Sequence, residues 1–160
     1  MRPSSAPFPM PIADNSAMDG YVIRTSDGLK ASTEHPVCLK IIGTVKAGDS
    51  KRIRVAAGTA CGIMTGAFIP KGGESVIPKE EVRAKGNSLF VTRPVRDGQH
   101  IRRRGEEIKK GRLLLKKGTV LNPAAVGVLA TFGYSNIPVY QKPKVTILAT
   151  GSELIAPGKK

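Results

Sequence analysis

Between residues 25 and 107 apolar positions recur with a period of two, in short bursts separated by glycine-containing turns. Val37, Leu39 and Ile41 alternate with Cys38, Lys40 and Ile42, and Ile53 and Val55 alternate with Arg52 and Arg54. That spacing belongs to a strand with two distinct faces. Gly58-Thr59 and Gly72-Gly73 punctuate the pattern. Val82-Arg83-Ala84, the turn Lys85-Gly86-Asn87-Ser88 and the run Leu89-Phe90-Val91-Thr92 predict a β-hairpin. Regular short strands at this spacing point to a compact β domain, a barrel or a sandwich. Upstream, four prolines among the first eleven residues hold the chain extended. A polar turn, IADNSAMDG, then leads into the strand-like Tyr21-Val22-Ile23.

Downstream the periodicity changes. Arg112–Leu115 and Thr119–Leu121, joined by Lys116-Lys117-Gly118, predict a second hairpin. One helix follows. Asn122 is its N-cap, Pro123 takes the first helical position, Val126, Leu129 and Ala130 share a face, and Gly133 stops it. Ile137-Pro138-Val139-Tyr140 reads as a strand at an edge, because of its proline. Lys144 to Thr150 reads as a strand buried on both faces that runs into Gly151-Ser152-Glu153-Leu154, the way a parallel α/β domain begins. Only ten residues follow Thr150. A βαβ unit needs about 30 or more, so the chain reads as stopping inside a domain.

Composition narrows the partners. With 26 Lys or Arg against 12 Asp or Glu the formal charge is +14, which suggests an anionic partner. Aromatic residues make up only 4%, few for a protein that stacks on single strands or RNA. No helix-turn-helix, zinc-finger or RNP signature occurs, so nucleic acid is not expected and small phosphate-bearing ligands stay open. Cys38 and Cys61 show no metal-ligand spacing and are expected as free thiols, which makes the cytoplasm the default compartment. No apolar run approaches about 18 residues, so no membrane helix is expected, and the proline-rich start does not resemble a secretory signal.

Four segments could carry chemistry. In Asp14-Asn15-Ser16-Ala17-Met18-Asp19-Gly20-Tyr21 a tight turn could present Asp19 in a fixed direction, or be an Asx-turn only. In Met64-Thr65-Gly66-Ala67 the Thr-Gly step could turn a hydroxyl and open N–H groups toward an oxyanion, or merely end a strand. In Gly98-Gln99-His100-Ile101-Arg102-Arg103-Arg104-Gly105-Glu106-Glu107-Ile108 three arginines suit phosphate or carboxylate, and the glutamates could take Mg²⁺; the plainer reading is a solvated charge run. His100 is assigned no role. In Thr150-Gly151-Ser152-Glu153 polar groups stand just beyond a strand C-terminus, where α/β sheets bind ligands.

Taken together and in order, DNSAMDGY, AGTACGIMTGAFIPKGGESVIPKEE, RDGQHIRRRGEEI, KGTVLNPAAVGVLATFGY and KPKVTILATGSEL make the chain resemble the MoeA family, the molybdopterin molybdenumtransferases, which include the E domain of gephyrin. The resemblance implies an α+β, mostly β fold. Residues 1–23 and 108–142 would form an elongated linker domain and 24–107 a compact β domain inserted into it. Residues 143–160 would start an α/β molybdopterin-binding domain, so that the chain corresponds to an N-terminal portion of longer family members. The implied reaction is insertion of molybdate into molybdopterin, in many members its adenylylated form, with Mg²⁺ assistance, in a cytoplasmic homodimer; the portion alone is expected to be inactive. By position, the resemblance implies Asp19 and Glu153 as catalytic residues and Thr65, Arg102 and Ser152 as substrate contacts. Asp19, Glu107 and Glu153 would be metal ligands, and Glu107 stands where the family usually has Asp. The alternative function is a non-catalytic scaffold or binding module of the gephyrin kind. Neither nucleic acid nor membrane is an expected partner.

Overall fold

The structure, a computed structural model, describes residues 4–49, 52–148, 150–151 and 153–159. In chain order its elements are β1 (Ser4–Ser5), β2 (Asn15–Ser16), β3 (Gly20–Ile23), α1 (Thr25–Gly28), β4 (Val37–Val45), β5 (Thr59–Ile63) and β6 (Ser75–Pro78). They continue with β7 (Val82–Lys85), β8 (Ser88–Val91), β9 (Ile101–Arg102), β10 (Leu113–Leu115) and α2 (Pro123–Thr131). The mostly β class expected from the sequence is what the chain adopts.

Among the described residues six strands form one sheet in the order β6-β3-β5-β4-β8-β7. Neighbours are antiparallel except β4 and β5, which run parallel. Successive residues of a strand point to opposite faces, and here both faces are covered. Ile23, Ala60 and Ile77 pack with Leu39, Leu89 and Val95 on one side. Val22, Cys61 and Val76 pack with Val45, Val55 and Ala67 on the other. β3 lies inside the sheet, between β6 and β5. In the β7–β8 hairpin Lys85 pairs with Ser88. Gly86, first of the two loop residues, has φ +57°, the choice a II′ turn demands.

A second assembly joins the start of the described chain to residues 108–134. β1 pairs with β10, Met10 bridges Ile108, and the Gly111 amide donates to the Ala6 carbonyl at 2.7 Å. α2 packs on this ribbon through the rings of Phe8 and Phe132, 5.1 Å apart, and through the Tyr134 hydroxyl, which donates to the Ser5 carbonyl. The predicted caps form. Asn122 Oδ1 accepts from the Ala125 amide at 2.8 Å. At the other end the Gly133 and Tyr134 amides donate to Ala130 and Leu129, the paired bonds of a Schellman motif, with Gly133 at φ +78°.

Four expectations are corrected. Ile53 and Val55 do turn inward while Arg52 and Arg54 stay exposed, yet the segment forms only a single bridge, Arg54 to Lys71; the alternation reports side-chain burial, not backbone pairing. The second hairpin does not form. Thr119 turns back to Lys116, but the partner of β10 is β1. The buried face of α2 is Ala125 and Leu129, continued by Phe132, while Val126 and Ala130 face outward, because the ribbon lies against the Ala125 side. Finally, residues 137–148 form no strand. Val145, Ile147 and Leu148 are 78–90% exposed. A strand buried on both faces needs strands beside it and helices over it, and the described residues supply neither. Ala149 lies outside the described residues.

Both thiols are free, Cys38 exposed and Cys61 buried in the sheet, where burial pushes the Cys61 thiol up. Among the described residues no helix is long and apolar enough to cross a membrane.

Candidate functional site

Asp19 is positioned by what flanks it. Before it, the buried Ser16 folds its hydroxyl onto Met18, accepting from the amide at 3.2 Å and donating to the carbonyl at 2.6 Å. After it, Gly20 sits between β5 and β6 so tightly that a Cβ would collide with the Ile77 carbonyl oxygen. The glycine of the Asp-Gly-Tyr step is therefore a close-approach residue. The Asp19 carbonyl also accepts from the Lys79 amide.

Thr65 arrives on the turn that follows β5. The Ala67 amide donates to the Met64 carbonyl, and Gly66 has φ +80°, the third-position glycine of a type II turn. This turn is laced to the first segment, because the Gly66 amide donates to Ser16 and the Ser16 amide donates to Ala67. The Thr65 amide and Thr65 Oγ1 then both donate to Asp19 Oδ1, each at 2.8 Å. Two expected site residues, 46 positions apart, are thus in direct contact. The oxyanion that the Thr-Gly step holds is the protein's own carboxylate. Those bonds favour the ionised form, so the Thr65 amide first, its hydroxyl next and the Lys79 charge last keep Asp19 below the ordinary carboxyl value. Among the described residues Asp19 Oδ2 accepts no hydrogen bond.

A second clasp was not singled out from the sequence. Asp14 Oδ2 pairs with the Arg103 guanidinium at 2.8 Å, and Asp14 Oδ1 accepts from the Arg104 amide at 2.8 Å. The Arg104 amide, then Arg103, hold the Asp14 carboxyl below its usual range. Beside this clasp β2 and β9 pair, with Asn15 opposite Arg102. The DNSAMDGY segment is therefore tied to both other motifs, to Met64–Ala67 through Ser16 and Asp19 and to the arginine run through Asp14. Nothing in the spacing signals the Asp14 clasp, since its partners are 89 residues apart. Arg103 is committed to Asp14. Arg102 and Arg104 are exposed and make no ion pair among the described residues.

The remaining expected residues are placed less closely. Glu107 is exposed and held through its backbone amide, which donates to Met10. Glu153 is exposed in the C-terminal segment, and Ser152 lies outside the described residues. Among the described residues no hydrogen bond or ion pair joins Glu107 or Glu153 to Asp19, and no three His, Cys, Asp or Glu side chains are grouped so as to hold a metal ion. At Asp19 the chain offers a hard cation one carboxylate oxygen that accepts no hydrogen bond among the described residues. That fits Mg²⁺, which commonly takes one or two carboxylates and completes its shell with water and substrate phosphate.

The sequence over residues 1–133 matches the family described as MoeA N-terminal region (domain I and II). A Mycobacterium tuberculosis protein named molybdopterin molybdenumtransferase 2 is 37% identical over 96% of this chain, and a Synechococcus elongatus molybdopterin molybdenumtransferase is 40% identical over 94%. The chain spans 38% of the length of each. The crystal structure of the molybdopterin biosynthesis moeA protein from Pyrococcus horikoshii superposes with a TM-score of 0.85 at 40% identity, covering 88% of this chain and 37% of that one.

Proposed function

This chain belongs to the MoeA family by its N-terminal region, and from that premise we propose that it supplies part of a molybdopterin molybdenumtransferase, which inserts molybdate into molybdopterin during molybdenum cofactor biosynthesis. The observation that carries the reading is the Asp19–Thr65 contact. A carboxylate fixed through one oxygen, ionised and open at the other, presents negative charge in a set direction. It suits electrostatic orientation of a cation or of a protonated substrate group, and it does not suit proton donation near neutral pH.

In this reading Asp19 is the central catalytic carboxylate and Thr65 its positioning partner. Arg102 contacts the anionic substrate, molybdopterin or its adenylylated form. Glu107, Glu153 and Ser152 complete the site, the two glutamates sharing Mg²⁺ with Asp19. When bound there, Mg²⁺ neutralises charge on phosphate oxygens. The chain's own part is to hold Asp19 ionised through Thr65 and to keep the arginine run beside the Asp19 segment through the Asp14 clasp. The domain division at residues 24, 108 and 143, a homodimer and a cytoplasmic location complete the proposal. The segregation of the apolar clusters between residues 22 and 95 supports the inserted β domain, and the β1–β10 ribbon with α2 supports the linker.

The test is a chimaera in which residues 1–133 replace the matching region of the Synechococcus elongatus relative, expressed in a host lacking molybdenumtransferase. The chimaera is expected to restore molybdoenzyme activity, its Asp19→Ala form to lose about 100-fold or more, and the 160-residue chain alone to restore none. Full rescue by the Asp19→Ala chimaera would remove the role assigned to that carboxylate.

A further inference from the structure

Among the described residues one buried side-chain polar atom, Asn15 Oδ1, has no hydrogen-bond partner. Buried acceptors are nearly always satisfied, because the water they give up has to be replaced. The exception lies in the segment that carries Asp19, and no step proposed above uses it.

Asn15 stands between two neighbours whose register is fixed by main-chain bonds. On one side the Ser16 amide donates to the Ala67 carbonyl and the Ile69 amide to the Asp14 carbonyl, each at 3.0 Å. Asn15 and Phe68 are therefore the bridged pair between those bonds, the kind whose side chains stand closest. On the other side Asn15 lies opposite Arg102, in a register that the Ala17 amide extends by donating to the His100 carbonyl at 2.9 Å. Partners across a ladder share a face, and successive residues alternate between faces. The adjoining row of Ala67, Ser16 and Ile101 turns inward, with Ala67 and Ser16 fully buried and Ile101 packed on the Val22–Cys61 cluster. Phe68, Asn15 and Arg102 are left as the outward row, the Phe68 ring half-exposed and Arg102 exposed.

The row sets an acceptor without a donor beside a guanidinium that makes no ion pair among the described residues. A guanidinium carries five N–H groups in a fixed fork. Neighbouring strands lie about 4.8 Å apart, so an arginine laid along the row crosses Asn15 and brings its charge toward the ring of Phe68, which attracts a cation. We propose that Asn15 is a positioning residue for Arg102. Its side-chain oxygen accepts one N–H of the guanidinium and holds the arginine across the row against Phe68, with the remaining donors turned outward to an anion. The structure shows this bond open, and closing it satisfies both groups at once. The inference rests on the reading of Arg102 as a substrate contact and adds what aims it: an arginine already held loses less rotamer freedom when it meets the anion.

The contact and its use are tested separately. In the ¹⁵N-labelled chain the Arg102 Nε–H cross-peak reports the contact. Asn15→Ala is expected to speed exchange of that proton with water about fivefold, with the backbone amides of Ser16 and Ile101 unmoved. Asn15→Asp keeps an oxygen acceptor and should keep the slow exchange, and Phe68→Leu, which removes the ring, should shift the cross-peak. In the chimaera described above, Asn15→Ala should raise KM for molybdopterin about tenfold and leave kcat within about twofold, and Asn15→Asp should restore KM. In an Arg102→Gln chimaera, adding Asn15→Ala should change KM by no more than about twofold, because Asn15 acts through the arginine. The inference is overturned by Arg102 exchange that Asn15→Ala leaves unchanged, by backbone shifts across β2 and β9 in that variant, or by an Asn15→Ala effect that is as large with Gln at position 102. Normal KM in the Arg102→Gln chimaera, with Arg102 exchange still governed by Asn15, would instead remove the substrate role of Arg102 and keep the contact.

Discussion

At the scale of single residues, two carboxylates organise the candidate site, and the bonds they accept hold both pKa values below the ordinary one. Asp19 is held by Thr65 through one amide and one hydroxyl, with the amide the larger influence. Thr65→Val removes only the hydroxyl. The Asp19 pKa, followed by carboxyl NMR titration, is therefore expected to rise toward the ordinary value of 3.8 without reaching it. The sign of the pH effect on stability follows from the same bonds. Because the folded values of Asp14 and Asp19 lie below their unfolded ones, their contribution is present at neutral pH and lost as pH falls through the folded values. The urea midpoint should stay level from about pH 7 to pH 5 and decline below about pH 4. Asp14→Asn should make that decline shallower. Its effect at neutral pH should be small, about 0.5 kcal/mol, because the Asp14–Arg103 pair is exposed to solvent.

At the scale of elements, local signals succeed where local chemistry decides. The β7–β8 turn and both caps of α2 form as their residues predict, because each depends on a few neighbouring atoms: a glycine at positive φ, or an Asn oxygen within reach of an amide three residues on. Gly133→Ala would place a Cβ at φ +78° and is expected to cost about 1 kcal/mol, read as a lower urea midpoint with unchanged slope. The buried face of α2 differs from the expected one because its sequence is apolar nearly all round. Ala124, Ala125, Val126, Val128, Leu129 and Ala130 offer several equivalent stripes, and the ribbon of residues 4–11 selects the one through Ala125 and Leu129. Residues 119–121 and 137–148 have strand-like composition but no pairing partner among the described residues. β-propensity describes fitness for a pleated surface and cannot supply the neighbouring strand.

At the scale of the molecule, the described chain holds two packing regions. The six-stranded sheet buries its clusters between residues 22 and 95, whereas Ala6, Leu129 and Phe132 are buried around the β1–β10 ribbon and belong to neither cluster. Loss of packing in one region should be felt there first. Leu129→Ala, at a fully buried position, is expected to cost about 3 kcal/mol locally. Hydrogen exchange should show Ala6, Met10 and Gly111 losing protection while amides of β3 and β5 keep theirs. Equal loss in both would show a single cooperative unit. The Asp14 and Asp19 clasps lie where the chain passes from the ribbon into the sheet, so the candidate site draws its rigidity from both.

The sequence by itself determined the strand and turn text of the β region, the caps of α2, the free thiols and, through ordered motifs, the family. It also named Asp19 and Thr65, since a glycine-flanked acid and a Thr-Gly step are legible one residue at a time. That these two touch, that Asp14 grips Arg103 and Arg104, and that β10 pairs with β1 were decided only by the tertiary structure. Each joins residues separated by tens of positions, and no periodicity encodes which of many compatible partners a hydrogen-bonding group will meet.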